Sequence, residues 1–209
     1  MPLQNKVDPF GIIQAVSMRG LFMGNRGGRM HDPASKTLRE GKPWVTRQWI
    51  CCLTKFKGRK RELMGNSYTQ LFFLDEVVCL AAGHRPCAEC RRADYKRYCA
   101  AVDRDLPTIK AADLDRRLHA QRTGQRTTIT KTEASLLPDG VMVAIGDTAF
   151  AKYGDFALPF SFSGYGRKRS WQDIATAAMV LLTPATTVTA LKNGYQPVWH
   201  PSATLDGQA

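Results

Sequence analysis

Residues 80–98 read LAAGHRPCAECRRADYKRY. His84, Arg85 and Pro86 lead into Cys87 and Cys90 at C-x-x-C spacing, and a basic run with helical character follows at once. Two thiols three residues apart form half of a tetrahedral metal site, and zinc commonly takes such a knuckle together with ligands from a second segment. Pro86 stiffens the approach. Cys90 stands at the start of the next helix, where free amides and the helix dipole favour thiolate. A thioredoxin-type redox pair follows a strand and opens a helix in a βαβ unit, whereas here a helix ended by Gly83 comes first. The pair therefore reads as a metal knuckle, with zinc the expected ion.

The nearest thiols upstream end the segment KPWVTRQWICC, residues 42–52. Val45, Arg47, Trp49 and Cys51 alternate with Thr46, Gln48, Ile50 and Cys52, a strand pattern rich in β-branched and aromatic residues. Adjacent strand residues point to opposite faces, so Cys51 and Cys52 ligate together only where the backbone turns. The candidate metal ligands are Cys51, Cys52, Cys87 and Cys90, with His84 or His31 as alternatives for the fourth position. Cys79 and Cys99 lie within helix-like runs and read as small buried hydrophobes.

The stretch DEVVCLAAGHRPCAECRRAD, residues 75–94, resembles the part of the zinc domain of bacterial Ada alkylation-response proteins that reads Ala-Ala-Gly-Phe-Arg-Pro-Cys-x-x-Cys. In that family a short strand and an Ala-rich helix come before it, as YTQLFFLDEVVCL does at residues 68–80, and an aromatic-Cys β segment lies upstream, where RQWICC stands here. The resemblance covers roughly residues 45–95. It implies that Cys87 and Cys90 are zinc ligands and Cys51 the first, and that the partner is DNA. In the family one zinc-bound thiolate accepts a methyl group from a DNA phosphotriester. The family's second upstream cysteine falls four residues after the first, where this chain has Lys55.

The 209 residues carry 30 Lys and Arg against 18 Asp and Glu, a formal charge of +12. An excess of this size favours polyanions, because each cation set on a phosphate releases condensed counterions. The hydrophobic fraction of 44% suits a globular chain rather than a disordered one. No apolar run of eighteen residues occurs, which argues against a spanning helix, and residues 1–20 lack the three-part pattern of a signal peptide. A reducing cytoplasm is the expected compartment, where six cysteines serve metal or core packing rather than disulfides.

The expected fold class is α+β. Residues 1–105 form a zinc-binding, nucleic-acid-binding region, and residues 106–209 a helix followed by a β-rich region with a short C-terminal helix. Asp75 is the expected N-cap of a helix that Gly83 ends, and a second helix over residues 111–123 ends at Gly124. Residues 127–166 read as short strands divided by the turn signals PDG and GD. The loop around Asn25, Gly27 and Gly28, flanked by Arg19, Arg26 and Arg29, offers backbone amides to an anion.

Cations crowd the knuckle, and Arg26, Arg59, Arg85, Arg91 and Arg92 are the candidate phosphate contacts. A later block, GYGRKRSW at residues 164–171, interleaves cations with Tyr165 and Trp171, a pattern suited to stacked bases. The functional expectation is a zinc protein that binds nucleic acid, DNA in particular, in repair or processing. The alternative is an enzyme on nucleic acid, a metal-assisted nuclease or thiolate methyl acceptor using His84, His31 or Cys51. His119 reads as a solvated helix position and His200 as a capping or packing residue.

Overall fold

The computed structural model describes residues 1–104, 109–175 and 178–204. Among them, β1 (Gln4–Val7), β2 (Ile13–Ala15), β3 (Phe22–Arg26), β4 (Trp49–Leu53), β5 (Leu71–Phe73) and β6 (Arg85–Pro86) build a first sheet in the order β2-β1-β5-β3-β4-β6. β1 runs parallel to β5 and β6 parallel to β4, while the other neighbours are antiparallel. Helix α1 (Glu76–Ala81) joins β5 to β6, and α2 (Arg92–Val102) and α3 (Ala111–Thr123) follow. The second sheet holds β7 (Thr128–Ile129), β8 (Met142–Ile145), β9 (Thr148–Tyr153), β10 (Phe156–Ser161), β11 (Gly164–Tyr165), β12 (Arg169–Ser170) and β13 (Met179–Leu181). Its order is β11-β10-β9-β8-β13-β7, with β12 against β10, antiparallel throughout. Short helices α4 (Lys131–Ser135) and α5 (Trp171–Ile174) lie along it, and α6 (Ala185–Lys192) comes after it. Helices and sheets are both present, as the α+β reading expects.

Local chemistry accounts for most of these boundaries. Asp75 caps α1 by accepting from the Val78 amide at 2.9 Å, and Gly83, at φ +80°, reverses the chain beyond the helix. A Cβ on Gly83 would stand 2.6 Å from the Arg122 side chain, so only glycine fits that close approach. β8 and β9 are joined at Gly146 and Asp147, the turn that the GD dipeptide marks. Residues 131–135, expected within a strand-rich stretch, instead form α4. The cause is a capping box: Thr130 accepts from the Glu133 amide, and the Glu133 carboxylate accepts from the Thr130 amide at 2.7 Å. The strand expected from Val45 starts only at Trp49.

The boundary expected at residues 105 and 106 falls on residues outside the described set. On either side of it the chain packs over shared cores. Met142 and Ala144 of β8 join a hydrophobic cluster with Val77, Val78 and Leu71, while Val143 faces a second cluster containing Tyr98, Leu114 and Leu191. Alternation along β8 thus buries both faces of the second sheet, one toward the first sheet and α1, the other toward α2, α3 and α6.

Polar bonds cross the same divide. Glu76 accepts from the Tyr195 hydroxyl at 2.6 Å and the Val198 amide at 2.9 Å, and it pairs with Arg91 at 2.8 Å. Asp75 accepts from the Tyr165 hydroxyl and the His200 amide. Both carboxylates and Arg91 are buried. A lone buried charge is far costlier than a paired one, so the last described turn of the chain is chemically stitched to the start of α1. His200 acts as a cap, accepting from the Ser202 amide at the Pro201–Ala203 turn.

Replacing Glu76 with alanine leaves Arg91 buried with one partly exposed carboxylate, Asp94, and the Cys51 sulfur as partners. Glu76→Ala is expected to lower unfolding free energy by about 3–5 kcal/mol, read from the urea midpoint at constant m-value. A loss below about 1 kcal/mol would contradict this account of the pair.

Candidate metal centre and its cleft

Strand register brings the thiols together. β6 pairs with β4 so that Ile50 lies opposite Arg85 and Cys51 opposite Pro86, and the Cys87 amide donates to the Cys51 carbonyl at 2.9 Å. This sets Cys87 beside the outward-facing Cys52. The chain then turns, the Arg91 amide bonding back to the Cys87 carbonyl at 3.1 Å, and returns Cys90 to the same point. The sulfurs of Cys52, Cys87 and Cys90 all lie within 4.8 Å of one another. Three thiolates around one ion at a Zn–S distance of about 2.3 Å stand about 3.8 Å apart in a tetrahedron, so the cluster can hold a metal ion.

Cys51 is elsewhere. β4 continues straight through both cysteines, so Cys51 points to the opposite face, into the hydrophobic cluster beneath α1, and accepts from Arg91 Nη1 at 3.3 Å. The expectation that Cys51 supplies a ligand is corrected on this ground. Neither histidine joins the sulfurs. His31 is fully buried, with Nδ1 2.6 Å from the Thr69 hydroxyl and Nε2 2.8 Å from the Gly65 carbonyl. His84 is fully buried between Trp49 and Phe73, ring centroids 5.1 and 4.7 Å away, and neither of its nitrogens has a hydrogen-bond partner. Among the described residues no fourth Cys, His, Asp or Glu stands within the cluster. Cys79 and Cys99 sit in the hydrophobic clusters.

Protons are shared unevenly among the three sulfurs. Hydrogen bonds from Cys52 and then Cys90 hold the Cys87 thiol down to about 2, helped by the Cys90 and Glu89 amides, the latter 3.4 Å from the sulfur. Donating to Cys87 pushes Cys52 up. In Cys90 the bond with Cys52 pulls downward, and the bond to Cys87 together with burial outweighs it. A cation can replace the protons that such a trio shares.

The sulfurs lie at the wall of a cleft of about 420 Å³ that Phe56, Arg59, Lys60, Arg61 and Tyr68 also line. Arg59 is exposed and pairs with Glu89 at 2.6 Å, and Arg61 lies over the Tyr68 ring at 5.0 Å. Of the candidate phosphate contacts, Arg59 belongs to this cleft and Arg92 is exposed at the first turn of α2. Arg85 and Arg91 are interior: Arg85 binds both oxygens of Asp115 at 2.9 and 2.8 Å, and Arg91 is held by Glu76. Arg26 is buried 3% exposed, donating to the Gly11 and Pro43 carbonyls. Tyr165 and Trp171 are core residues, which removes them as base-stacking platforms. Lys60 and Arg61 belong to the basic run KFKGRKR, residues 55–61, that the sequence sets beside the knuckle, whereas Tyr68 carries no such signal.

The site so built is a three-thiol cluster at a basic cleft in an α+β protein. No family model, curated protein or solved structure matches the chain. No helix among the described residues is long and apolar enough to cross a membrane.

Single alanine replacements at Cys52, Cys87 or Cys90 are expected to abolish stoichiometric metal retention, while Cys51→Ala retains it. Elemental analysis of dialysed protein decides, and loss at Cys51 with retention at Cys52 would reverse the assignment. Metal affinity should fall with falling pH, since Cys52 and Cys90 must surrender protons.

His84 carries a second pH dependence. Burial first, then the charges of Arg26 and Arg122, keep it neutral in the fold. Below about pH 6.5 the unfolded histidine takes up a proton that the native one refuses. Stability through His84 is thus full above that pH and drains away as pH falls below it. His84→Leu should flatten the slope between about pH 5 and 7 in urea unfolding; parallel curves for the two proteins would refute the role.

Proposed function

We propose that the protein binds one zinc ion through Cys52, Cys87 and Cys90 and binds nucleic acid, DNA in particular, at the adjoining cleft, in repair or processing. The observation that carries this reading is the convergence of three sulfurs at the wall of a cleft that also bears Arg59, Lys60 and Arg61. Borderline-soft zinc suits an all-thiol donor set. The net charge of +12 favours a polyanion, and guanidinium with aromatic rings suits phosphate and base together. The resemblance of residues 45–95 to the Ada zinc domain points the same way, with Cys52 taking the upstream position. All six cysteines are free thiols, which suits a reducing cytoplasm.

In this reading the ion ties β4 to the turn before α2, and the chain's own residues do the binding. Lys60 and Arg61 take phosphate, Phe56 and Tyr68 offer ring faces, and Arg59 exchanges Glu89 for phosphate. A second reading is an enzyme on nucleic acid. It is favoured by the three-ligand donor set opening to a cleft, since catalytic zinc sites have three protein ligands. A zinc ion there supplies a Lewis acid and keeps its sulfurs ionised. A metal-assisted nuclease and a thiolate that accepts an alkyl group are its two forms.

Anisotropy titrations of the zinc-loaded chain with single- and double-stranded DNA across salt test the reading. Log affinity should fall linearly with log salt, and Lys60→Glu should weaken binding and reduce the duplex slope by about 0.9. Affinity indifferent to salt would refute it. Loss of substrate DNA with time, or a mass increase on Cys52, Cys87 or Cys90, would favour the enzymatic reading.

A further inference from the structure

A second cleft, of about 350 Å³, shares no lining residue with the first. It gathers Arg26 from β3, Arg122 from the end of α3 and Arg126 just beyond, together with Trp44, Trp49 and Phe10. The guanidiniums of Arg26 and Arg122 stack on the Trp49 ring, at 4.0 and 3.9 Å from a ring centroid. None of the three forms an ion pair with a carboxylate among the described residues. Their bonds run to neutral carbonyls: Arg26 to Gly11 and Pro43, Arg122 to Gly83 and Arg47, Arg126 to Phe10. Arg122 also meets His119 Nδ1 at 3.1 Å.

Cations gathered this way without a counter-charge cost the fold free energy that a structural pair would have offset. The Nε atoms of Arg26 and Arg122 are buried and have no partner, and Arg26 is only 3% exposed. The carboxylates that act on them from a distance are engaged elsewhere: Asp8, which acts on Arg26 and Arg126, by the Ile12 amide and Gln14, and Asp115, which acts on Arg122, by Arg85. Burial pulls Arg26 and Arg122 down to about 9, so both stay charged at neutral pH. Helix α6 begins at Ala185 on the same wall, its Thr186 amide donating to Gln121 Oε1 at 3.0 Å. Trp44, 36% exposed, stands in the lining with its ring edge-on to His119 at 5.2 Å.

We propose that this cleft is a binding site for a small phosphorylated ligand of mononucleotide size, its phosphate held by Arg122 and Arg126 above the buried charge of Arg26 and its planar group against Trp44. Guanidinium forks match phosphate oxygens bidentately, and the volume lies in the range of ligand pockets, about 300–1,000 Å³. The proposal is independent of the metal centre and of the DNA-binding reading.

Calorimetric titration of the whole chain with AMP, adenosine and inorganic phosphate tests it. AMP should bind, adenosine at least about tenfold more weakly, and Arg126→Gln should weaken AMP about tenfold or more. Trp44→Ala should weaken AMP and leave inorganic phosphate unchanged, which separates the base from the phosphate. A 5′-phosphorylated oligonucleotide that binds through these arginines while AMP does not would overturn the small-ligand assignment. AMP no better than adenosine, or AMP binding unchanged in folded Arg126→Gln, would overturn the site itself. Should Arg126→Gln fail to fold, the rise of wild-type Tm with AMP against an adenosine control decides: a rise for AMP alone supports the site, and equal curves refute it.

Discussion

The buried ion pair between Arg91 and Glu76 holds the architecture to its candidate metal centre. Arg91 follows Cys90 directly, and its guanidinium passes under β4 to reach Glu76 while a second arm contacts the Cys51 sulfur. Glu76 in turn takes the Tyr195 hydroxyl and the Val198 amide. One carboxylate therefore fixes three things: the start of α1, the turn carrying Cys87 and Cys90, and the return of the C-terminal segment. Charges desolvated this far leave no cheap alternative arrangement, since any shift strands one of them without its partner.

From that anchor the thiol cluster follows by strand geometry alone. A strand presents neighbours to opposite faces, so β4 gives one cysteine to the core and one to the cleft. The inner sulfur becomes part of the Arg91 network, and the outer one meets the knuckle. The same partition explains the arginines. Those nearest the knuckle in sequence, Arg85 and Arg91, are consumed as structural cations, whereas the positive charge at the cleft comes from the turn at residues 57–61.

Much of this was legible in the residues. Asp75 as a cap, Gly83 and Gly124 as helix ends, the GD turn and the C-x-x-C knuckle each rest on chemistry local to a few positions, and local chemistry survives folding. What was hidden depends on partners far away in sequence. Whether Arg85 meets phosphate or Asp115 cannot be read without knowing that α3 packs beside β6. Tyr165 and Trp171 look like stacking residues next to cations until β11 and α5 turn them inward. The strand parity rule already separated Cys51 from Cys52; the family likeness favoured the inner one, and the backbone, which does not turn at that point, selects the outer. The helix at residues 131–135 was written in T-x-x-E, a short signal overlooked beside many β-branched neighbours.

The stitching of residues 195–200 to Asp75 and Glu76 also bears on how the molecule comes into being during synthesis. The acids at the head of α1 are made early, but the Tyr195 hydroxyl and the Val198 and His200 amides that they accept from emerge from the ribosome more than a hundred residues later. The Val78 amide and Arg91, the partners nearest to them in sequence, are made first, and the C-terminal donors complete the set last.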